Sequence, residues 1–145
     1  MIKSISIDLY KKFLGYLIKK GKKKKSQNTL NKSLFIISKK HRIKPYLVFL
    51  KLFLQLNTFI EARTIKRRQR SLTVPFFIKS NRQIHMVLKW IVSSLILACN
   101  RIPTTKKITL SILSILKNNK SKALELKASN SNLALINRSN MHFRW

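Results

Sequence analysis

The sequence predicts a helical core from which one basic segment projects, with six candidate helices and one candidate β-hairpin. Three observations carry this prediction. The chain has 145 residues, of which 45% are hydrophobic, and this is enough for one core of useful size. Apolar residues recur at helical spacing along most of the chain. Between residues 59 and 79 the period changes, and residues that favour strands flank a short cationic run.

The first two helices are predicted on either side of a lysine-rich connection. Helix one spans about residues 6–20, and Gly21 follows at the usual place for a helix end. Its apolar residues at helical spacing are Leu9, Phe13, Tyr16 and Leu17. Ser26 or Asn28 is expected to cap helix two. The apolar stripe of helix two is Leu30, Leu34 and Ile37.

Helix three and the projecting segment come next. Pro45 suits the first turn of a helix over about residues 45–57, whose narrow polar side indicates burial among other helices. The run KRRQRS then predicts either an exposed loop or the tip of a β-hairpin over about residues 59–79. Pro75 would have to lie at an edge or bulge, and the absence of glycine at the turn counts against the hairpin. The cationic tip residues are Lys66, Arg67, Arg68 and Arg70.

Three further helices complete the predicted core. Helix four covers about residues 81–101, and Trp90 lies on its apolar side. The opposite side is a narrow polar stripe made of Arg82, His85, Lys89 and Ser93. Helix five begins at Pro103 and ends around Asn118. After Ser121 the pattern is weak and the helix propensity poor, so helix six has the least support from the pattern.

The charge balance is the unusual feature of the composition. The chain has 32 Lys and Arg residues against 3 acids, which gives a formal net charge of +29. Because self-repulsion of this size destabilises an isolated domain, we expect a polyanionic partner. Nucleic acid is the first candidate and an anionic membrane surface the second. An Arg-rich projection can bind phosphates and stack on exposed bases of folded RNA, although the same run could also be a merely solvated loop.

The sequence offers little for catalysis. The acids Asp8, Glu61 and Glu125 are far apart in the chain, which argues against paired-carboxylate chemistry and oxygen-ligand metal sites. The single Cys99 excludes an internal disulfide, and its apolar surroundings are typical of a buried residue rather than a nucleophile. The two glycines form no phosphate-binding loop. We therefore expect no enzyme activity, no metal and no cofactor.

Residue usage and the apolar runs bear on location. Lys, Ile, Leu, Asn and Ser are abundant while Gly and Pro are scarce, a bias that A/T-rich codons produce. This points to an organelle genome, although an A/T-rich nuclear or bacterial genome would give the same bias. The start MIKSISIDLY has no feature of a secretory signal or transit peptide. The two most apolar runs are shorter than the about 20 residues of a membrane span, and Lys51 and Lys89 interrupt them.

Three stretches of the chain resemble one known family, the universal small-subunit ribosomal protein seven family of the bacterial S-seven type. KFLGYLIKKGKK resembles the family's first helix and its Gly-Lys-Lys exit. IEARTIKRRQRSLTVPFFIKSNRQIHMVLKWIV is similar, without a gap, to its hairpin and the start of its helix four. NRSNMHFRW resembles its terminal signature. The three matches occur in the family's order and indicate a divergent organellar form, mitochondrial first and plastid second.

The resemblance implies an all-α fold of six helices with one protruding β-hairpin between helices three and four. It also implies an early-binding rRNA protein that organises the head of the small subunit, with the hairpin and helix six near the exit-site tRNA and the mRNA path. Carried over to this chain, the rRNA-binding surface is Lys22, Lys23, Arg63, Arg67, Arg82 and Lys89. The tail signature, over about residues 138–145, carries over onto Asn137, Arg138, His142, Arg144 and Trp145.

The chain also departs from the family pattern. The basic arm that precedes helix one in the family has no counterpart, so its rRNA contacts are not expected here. Arg68 and Gln69 replace the glycine pair of the hairpin turn, and such residues resist positive φ angles. Phe143 stands where tyrosine is usual, which removes one hydroxyl hydrogen bond.

These observations together predict a single rRNA-binding domain over residues 1–145. The expected partners are small-subunit rRNA and the neighbouring ribosomal proteins of head and platform, with exit-site tRNA and mRNA nearby. We expect neither a membrane span nor a homo-oligomer. The alternative is a basic amphipathic subunit associated with an organelle membrane. Sedimentation in mild detergent separates the two, because a ribosomal protein stays in its particle when membranes dissolve.

Overall fold

The computed structural model describes residues 2–68, 70–97, 102–117 and 121–143. The described part contains six α-helices, one antiparallel β-hairpin and a short 3-10 helix, η1. Their bounds are α1 Ile2–Leu17, α2 Lys23–His41, α3 Pro45–Leu56, β1 Ile60–Arg67, β2 Arg70–Phe77, α4 Ser80–Leu97, α5 Thr104–Leu116, α6 Lys122–Ile136 and η1 Arg138–Phe143. The predicted all-α fold with a hairpin between helices three and four is confirmed. Cys99 lies outside the described residues.

One apolar core joins the helices. The inner faces of α1 to α5 and the start of α6 meet in it, and charged side chains stay at its margin. Trp90 is only 5% exposed, so the predicted orientation of α4 is confirmed. The predicted stripe of α2 is also buried: Leu30, Leu34 and Ile37. A core of this kind follows directly from apolar residues repeated every three or four positions.

The connection between α1 and α2 differs from the prediction. Helix α1 ends at Leu17 rather than near residue 20, and Gly21 turns the chain with a φ of 70°. Because that turn is so short, α2 already begins at Lys23, without a side-chain cap. Ser26 and Asn28, the predicted caps, therefore lie inside the helix. The Ser26 hydroxyl instead donates a hydrogen bond to the last carbonyl of α1, 3.1 Å away.

The hairpin is regular along its whole length. Its pairing runs from Ile60 opposite Phe77 to Arg67 opposite Arg70, which leaves a two-residue loop. Arg68 in that loop has a φ of 53°, the left-handed conformation that the family's glycine would adopt without strain. The strands continue the chain directly from α3 into α4. The charged tip is therefore the part of the hairpin farthest in sequence from both helices.

Two asparagines of the C-terminal segment hold the outer edges of the hairpin. On β1, the Asn130 amide donates to the Ile60 carbonyl (2.8 Å) and accepts from the Ala62 N–H (3.2 Å). On β2, the Asn140 amide donates to the Thr73 carbonyl at 3.0 Å. Both side chains satisfy backbone groups that edge strands otherwise leave exposed. Ala62 pairs with Pro75, and the Ala62 N–H points away from β2. In such an antiparallel pair the nitrogen of the partner also points outward, so proline loses no hydrogen bond between the strands, as predicted for an edge strand.

Candidate RNA interface

The polar stripe of α4 lies beside α1. Arg82 and Lys89 are exposed, and His85 between them is half-buried. The Tyr16 hydroxyl of α1 forms a hydrogen bond with His85 Nδ1, and the two rings lie 5.8 Å apart between centroids. Tyr16 was predicted on the apolar face of helix one, but it is 40% exposed, because its hydroxyl is used at the helix–helix boundary rather than in the core. Leu14 is buried in the core instead.

A buried carboxylate ties the hairpin to this stripe. Glu61 of β1 accepts two hydrogen bonds from Arg82 of α4, at 2.7 and 3.2 Å, and further hydrogen bonds from Arg63 at 2.8 and 2.9 Å. Arg63 also lies over the Phe76 ring, 5.6 Å from its centroid. The hydrogen bonds from Arg82 lower the pKa of Glu61, against the opposing effect of burial, and Arg63 lowers it further. The carboxylate is therefore charged at neutral pH.

This arrangement leaves positive charge at the surface. One carboxylate neutralises one of two guanidinium groups, and the two arginine side chains remain 43% (Arg82) and 46% (Arg63) exposed. A guanidinium has five donors, so each arginine can hold Glu61 and still present N–H groups outward. The geometry thus fixes two cations in place at the junction of hairpin and α4.

The hairpin tip carries the densest charge of the projection. Lys66, Arg68 and Arg70 are exposed. Strand alternation puts Arg70 on the same face as Arg63, and Lys66 on the other face. The side chain of Arg67 lies outside the described part of the structure. Both faces of the tip therefore present cations.

Lysines also gather where α2 begins. Lys22 and Lys23 are exposed and follow the left-handed turn after α1. Together with Lys24 and Lys25 they occupy the positive end of the helix dipole, and that turn contains no acid. Such crowding of like charge disfavours the helix end and is relieved when an anion lies beside it.

The tail packs along β2. Asn137 ends α6 and donates to the Leu133 carbonyl at 2.8 Å, and Arg138 begins η1 with its side chain exposed. His142 Nδ1 lies 2.8 Å from the Ser139 carbonyl, and the His142 ring lies 3.9 Å from that of Phe143. Arg144 and Trp145 lie outside the described residues. Through the hydrogen bond from Asn140 to the Thr73 carbonyl, the structure brings the tail against the hairpin.

Several residues that position the hairpin and the α4 stripe were not predicted from the sequence. The role of Asn130 and Asn140 has no periodic signal, since each side chain bonds a strand about 70 positions away. Tyr16 could have been suspected because a tyrosine often keeps its hydroxyl at the edge of an apolar face. Glu61 had one available clue, as an acid two positions before an arginine in the run IEAR.

Other kinds of site find no support in the described residues. Within residues 2–68, 70–97, 102–117 and 121–143, no three His, Cys, Asp or Glu side chains come together as metal ligands would. None of the helices in that part of the chain is long and apolar enough to cross a membrane.

Comparison with known proteins decides the family. The sequence profile described as "Ribosomal protein S7p/S5e" matches residues 3–138. The chain belongs to this family. The protein named "Small ribosomal subunit protein uS7m" of Reclinomonas americana is 28% identical over 136 residues, which are 92% of this chain and 83% of that protein. "Small ribosomal subunit protein uS7" of Kosmotoga olearia is 25% identical over 137 residues, 94% of this chain and 87% of that protein.

Family membership settles the class of function. The chain is a structural, non-enzymatic constituent of the small ribosomal subunit, and rRNA binding is typical of the S7 family. The predicted family, the fold and the lack of enzyme activity are thereby confirmed. The basic surfaces described above have the charge and exposure that an RNA interface requires.

Proposed function

We propose that this S7-family chain binds the head of small-subunit rRNA through two kinds of surface. An anchoring surface positions the protein on the RNA; it consists of Lys22, Lys23, Arg63, Arg82 and Lys89. A projecting surface reaches toward the exit-site tRNA and the mRNA path; it consists of the tip residues Lys66, Arg67, Arg68 and Arg70 and the tail residues Asn137, Arg138, His142, Arg144 and Trp145. Neighbouring head and platform proteins meet the tail.

The observation that carries the proposal is the held pair of cations at the hairpin–α4 junction. Glu61 fixes Arg63 and Arg82 without neutralising both, and Lys89 extends the same exposed stripe. Preset guanidinium groups lose less side-chain entropy on binding phosphate than mobile ones. Contacts of this type fix the register of a protein on RNA without reading its sequence.

The projecting surface is supported by a different feature. Asn140 attaches η1 to β2, so the hairpin and the described tail form one unit beside the core. Exposed cations at Lys66, Arg68 and Arg70 lie beyond this attachment, toward the two-residue loop. A surface so placed can contact RNA ligands that pass the subunit without taking part in the anchoring.

The salt dependence of binding tests the anchoring surface. Affinity for the cognate small-subunit rRNA should fall steeply between about 50 and 200 mM salt, because Lys and Arg displace counterions. Changing Lys22, Lys23 and Lys89 to Ala should reduce the slope of log affinity against log salt by about 2–3, roughly one for each lost phosphate contact. The protein–RNA affinity is measured by filter binding at several salt concentrations.

A matched variant controls for net charge. Lys32, Lys40 and Lys106 are also exposed lysines on helices, and changing these three to Ala removes the same charge. Their loss should leave most of the slope intact. If both triple variants lost the same slope, binding would depend on total charge, and the assignment of the anchoring surface would be wrong.

The projecting surface is tested in assembled particles. A variant with Arg67, Arg68 and Arg70 changed to Ala and the residues after Met141 deleted should still enter small subunits. Those particles should show altered tRNA retention and reading-frame fidelity, since the lost groups act on ligands rather than on assembly. Failure to incorporate would show that tip or tail anchors the protein, and the separation of the two surfaces would be refuted.

We further propose that the protein functions in the matrix of the mitochondrion, in the mitochondrial ribosome, and that the organelle genome encodes it. The support is the relative named uS7m and the A/T-rich residue usage. Gradient sedimentation of detergent-treated mitochondria should place the protein in the small-subunit peak. Recovery in plastid ribosomes, or with detergent-soluble membrane proteins, would contradict this location.

A further inference from the structure

A groove lies between α1 and α4, beside the anchoring surface. It has a volume of about 380 Å³, which falls within the range of about 300–1,000 Å³ seen for small-ligand sites. Its lining residues are Lys12, Gly15, Tyr16, Asn81, Ile84, His85 and Leu88. The phosphate contacts proposed for the anchoring surface do not involve this groove, because they need only exposed cations.

The lining separates into three kinds of surface. Leu88 is buried and Ile84 half-buried, so part of the lining is apolar. Tyr16 and His85 contribute two aromatic rings, joined by their hydrogen bond and tilted by 47°. Lys12 and Asn81 are exposed and supply a cation and an amide. A ligand that combines a flat ring, a polar ring edge and a negative charge would complement the apolar and aromatic side chains, the amide and the cation.

Charge favours RNA over a protein side chain as the occupant. The groove lining contains no carboxylate, and the exposed Arg82 follows directly after the lining residue Asn81 in α4. Unpaired bases of RNA stack on Tyr and His rings and offer their edges to amides, while the attached phosphate attracts lysine and arginine. A protein segment with an acid but no aromatic ring, or with a ring but no acid, would supply only one of these two features.

Gly15 keeps one wall of the groove open. It lies inside α1, where alanine is the better helix former, and its φ is not in the left-handed range that would call for glycine. A Cβ atom built there meets nothing within 4 Å. A larger side chain can therefore enter the groove without displacing the fold, which gives a direct way to block it.

We propose that this groove receives one unpaired nucleotide of the small-subunit rRNA, with the base against Tyr16 and His85 and its phosphate near Lys12 and Arg82. The inference rests on the proposed rRNA binding and adds a site to it. It turns a phosphate-contacting surface into one that also selects for an unstacked base at a single position.

The test blocks the groove and reads a single nucleotide. Gly15→Met should fill the space, weaken binding to the cognate small-subunit rRNA by about five- to 150-fold, and expose one base to chemical probing that the parent protects. Tyr16→Ala should have the same effect by removing the stacking ring. Gly15→Ala is the matched control, because it leaves the groove open, and Tyr16→Phe keeps the ring; both should protect that base as the parent does.

The outcomes separate this proposal from the proposed function. The parent is expected to bind the rRNA with a steep salt dependence. If Gly15→Met and Tyr16→Ala then bind with the same affinity as the parent and protect the same bases, the groove is empty and this inference is wrong. If the two variants leave every RNA base protected but expose a segment of a neighbouring ribosomal protein in assembled particles, the occupant is a protein segment and the inference is again wrong. If the parent itself does not bind, the proposed function fails first.

Discussion

Replacing Glu61 by glutamine tests the ion-pair cluster that joins hairpin and α4. The Glu61 side chain is only 8% exposed and accepts hydrogen bonds from two arginines. Hydrogen bonds to charged groups are worth about 1.5–3 kcal/mol, and breaking a fully buried pair costs about 3–5 kcal/mol. Here both arginines are more than two-fifths exposed, so water can solvate them after the change, and glutamine keeps one acceptor oxygen. We expect the free energy of unfolding to fall by about 1–2 kcal/mol.

The assay is urea unfolding followed by far-ultraviolet circular dichroism at pH 7 and constant salt. Glu125→Gln is the matched control, because Glu125 makes an exposed pair with Lys122 and should cost no more than about 0.5 kcal/mol. Urea is preferred to guanidinium because it adds no ions to a chain of net charge +29. If Glu61→Gln were as mild as Glu125→Gln, the cluster would add nothing to stability and the hairpin would be held by packing alone.

The pH dependence of the free energy of unfolding is a second measurement of the effect of Glu61. The arginines lower the pKa of Glu61 below its usual value of 4.5, so the carboxylate is more acidic in the folded than in the unfolded chain. Its contribution to stability is complete above pH 4.5 and is lost as the pH falls through the lower pKa of the folded state. The gap between parent and Glu61→Gln should therefore close on acidification. A gap that is constant with pH would show that the charge is not responsible.

Three further predictions concern the core, the hairpin edge and the turn. Trp90→Ala should lower the free energy of unfolding by about 3–5 kcal/mol in urea, as a large-to-small change at a buried site; a parent-like transition would mean that α4 is wrongly oriented. Asn130→Ala should cost about 1–3 kcal/mol for two lost hydrogen bonds and speed hydrogen exchange at the Ala62 amide, whereas the exposed Asn132→Ala should do neither. Arg68→Gly should raise hairpin stability by up to about 1 kcal/mol, since arginine is strained at a φ of 53°; a decrease in the thermal midpoint would contradict this strain.

The fold was predictable because its signals repeat. Leu30, Leu34 and Ile37 recur at helical spacing and all face the core, so the pattern alone located α2 and its inner side. The hairpin needed more than pattern, because a loop and a hairpin fitted KRRQRS equally well. The resemblance to the ribosomal family decided between them, and the pairing from Ile60 to Phe77 agrees with it.

Features that depend on one contact were not predictable. The start of α2 was misplaced because Ser26 has the usual chemistry of a cap, yet the turn at Gly21 began the helix before it. Tyr16 was assigned to the core because spacing does not reveal a hydroxyl that pairs with His85. The Asn130 side chain bonds to a strand residue 70 positions earlier in the chain, and sequence patterns over a few residues do not predict such a contact.

The three acids explain how so basic a chain keeps a defined surface. Asp8 and Glu125 are exposed and can do little to offset a net charge of +29. Glu61 is the acid among them that the fold buries, and it lies where strand, helix and two arginines meet. Buried there, one negative charge orders two cations and leaves the junction positive, whereas at the exposed surface it would only have reduced the field that attracts phosphate. Under the proposed function, the buried Glu61 serves the RNA interface as well as the fold. Because its hydrogen bonds to the two arginines form without RNA, its removal should be visible in stability before any RNA is added.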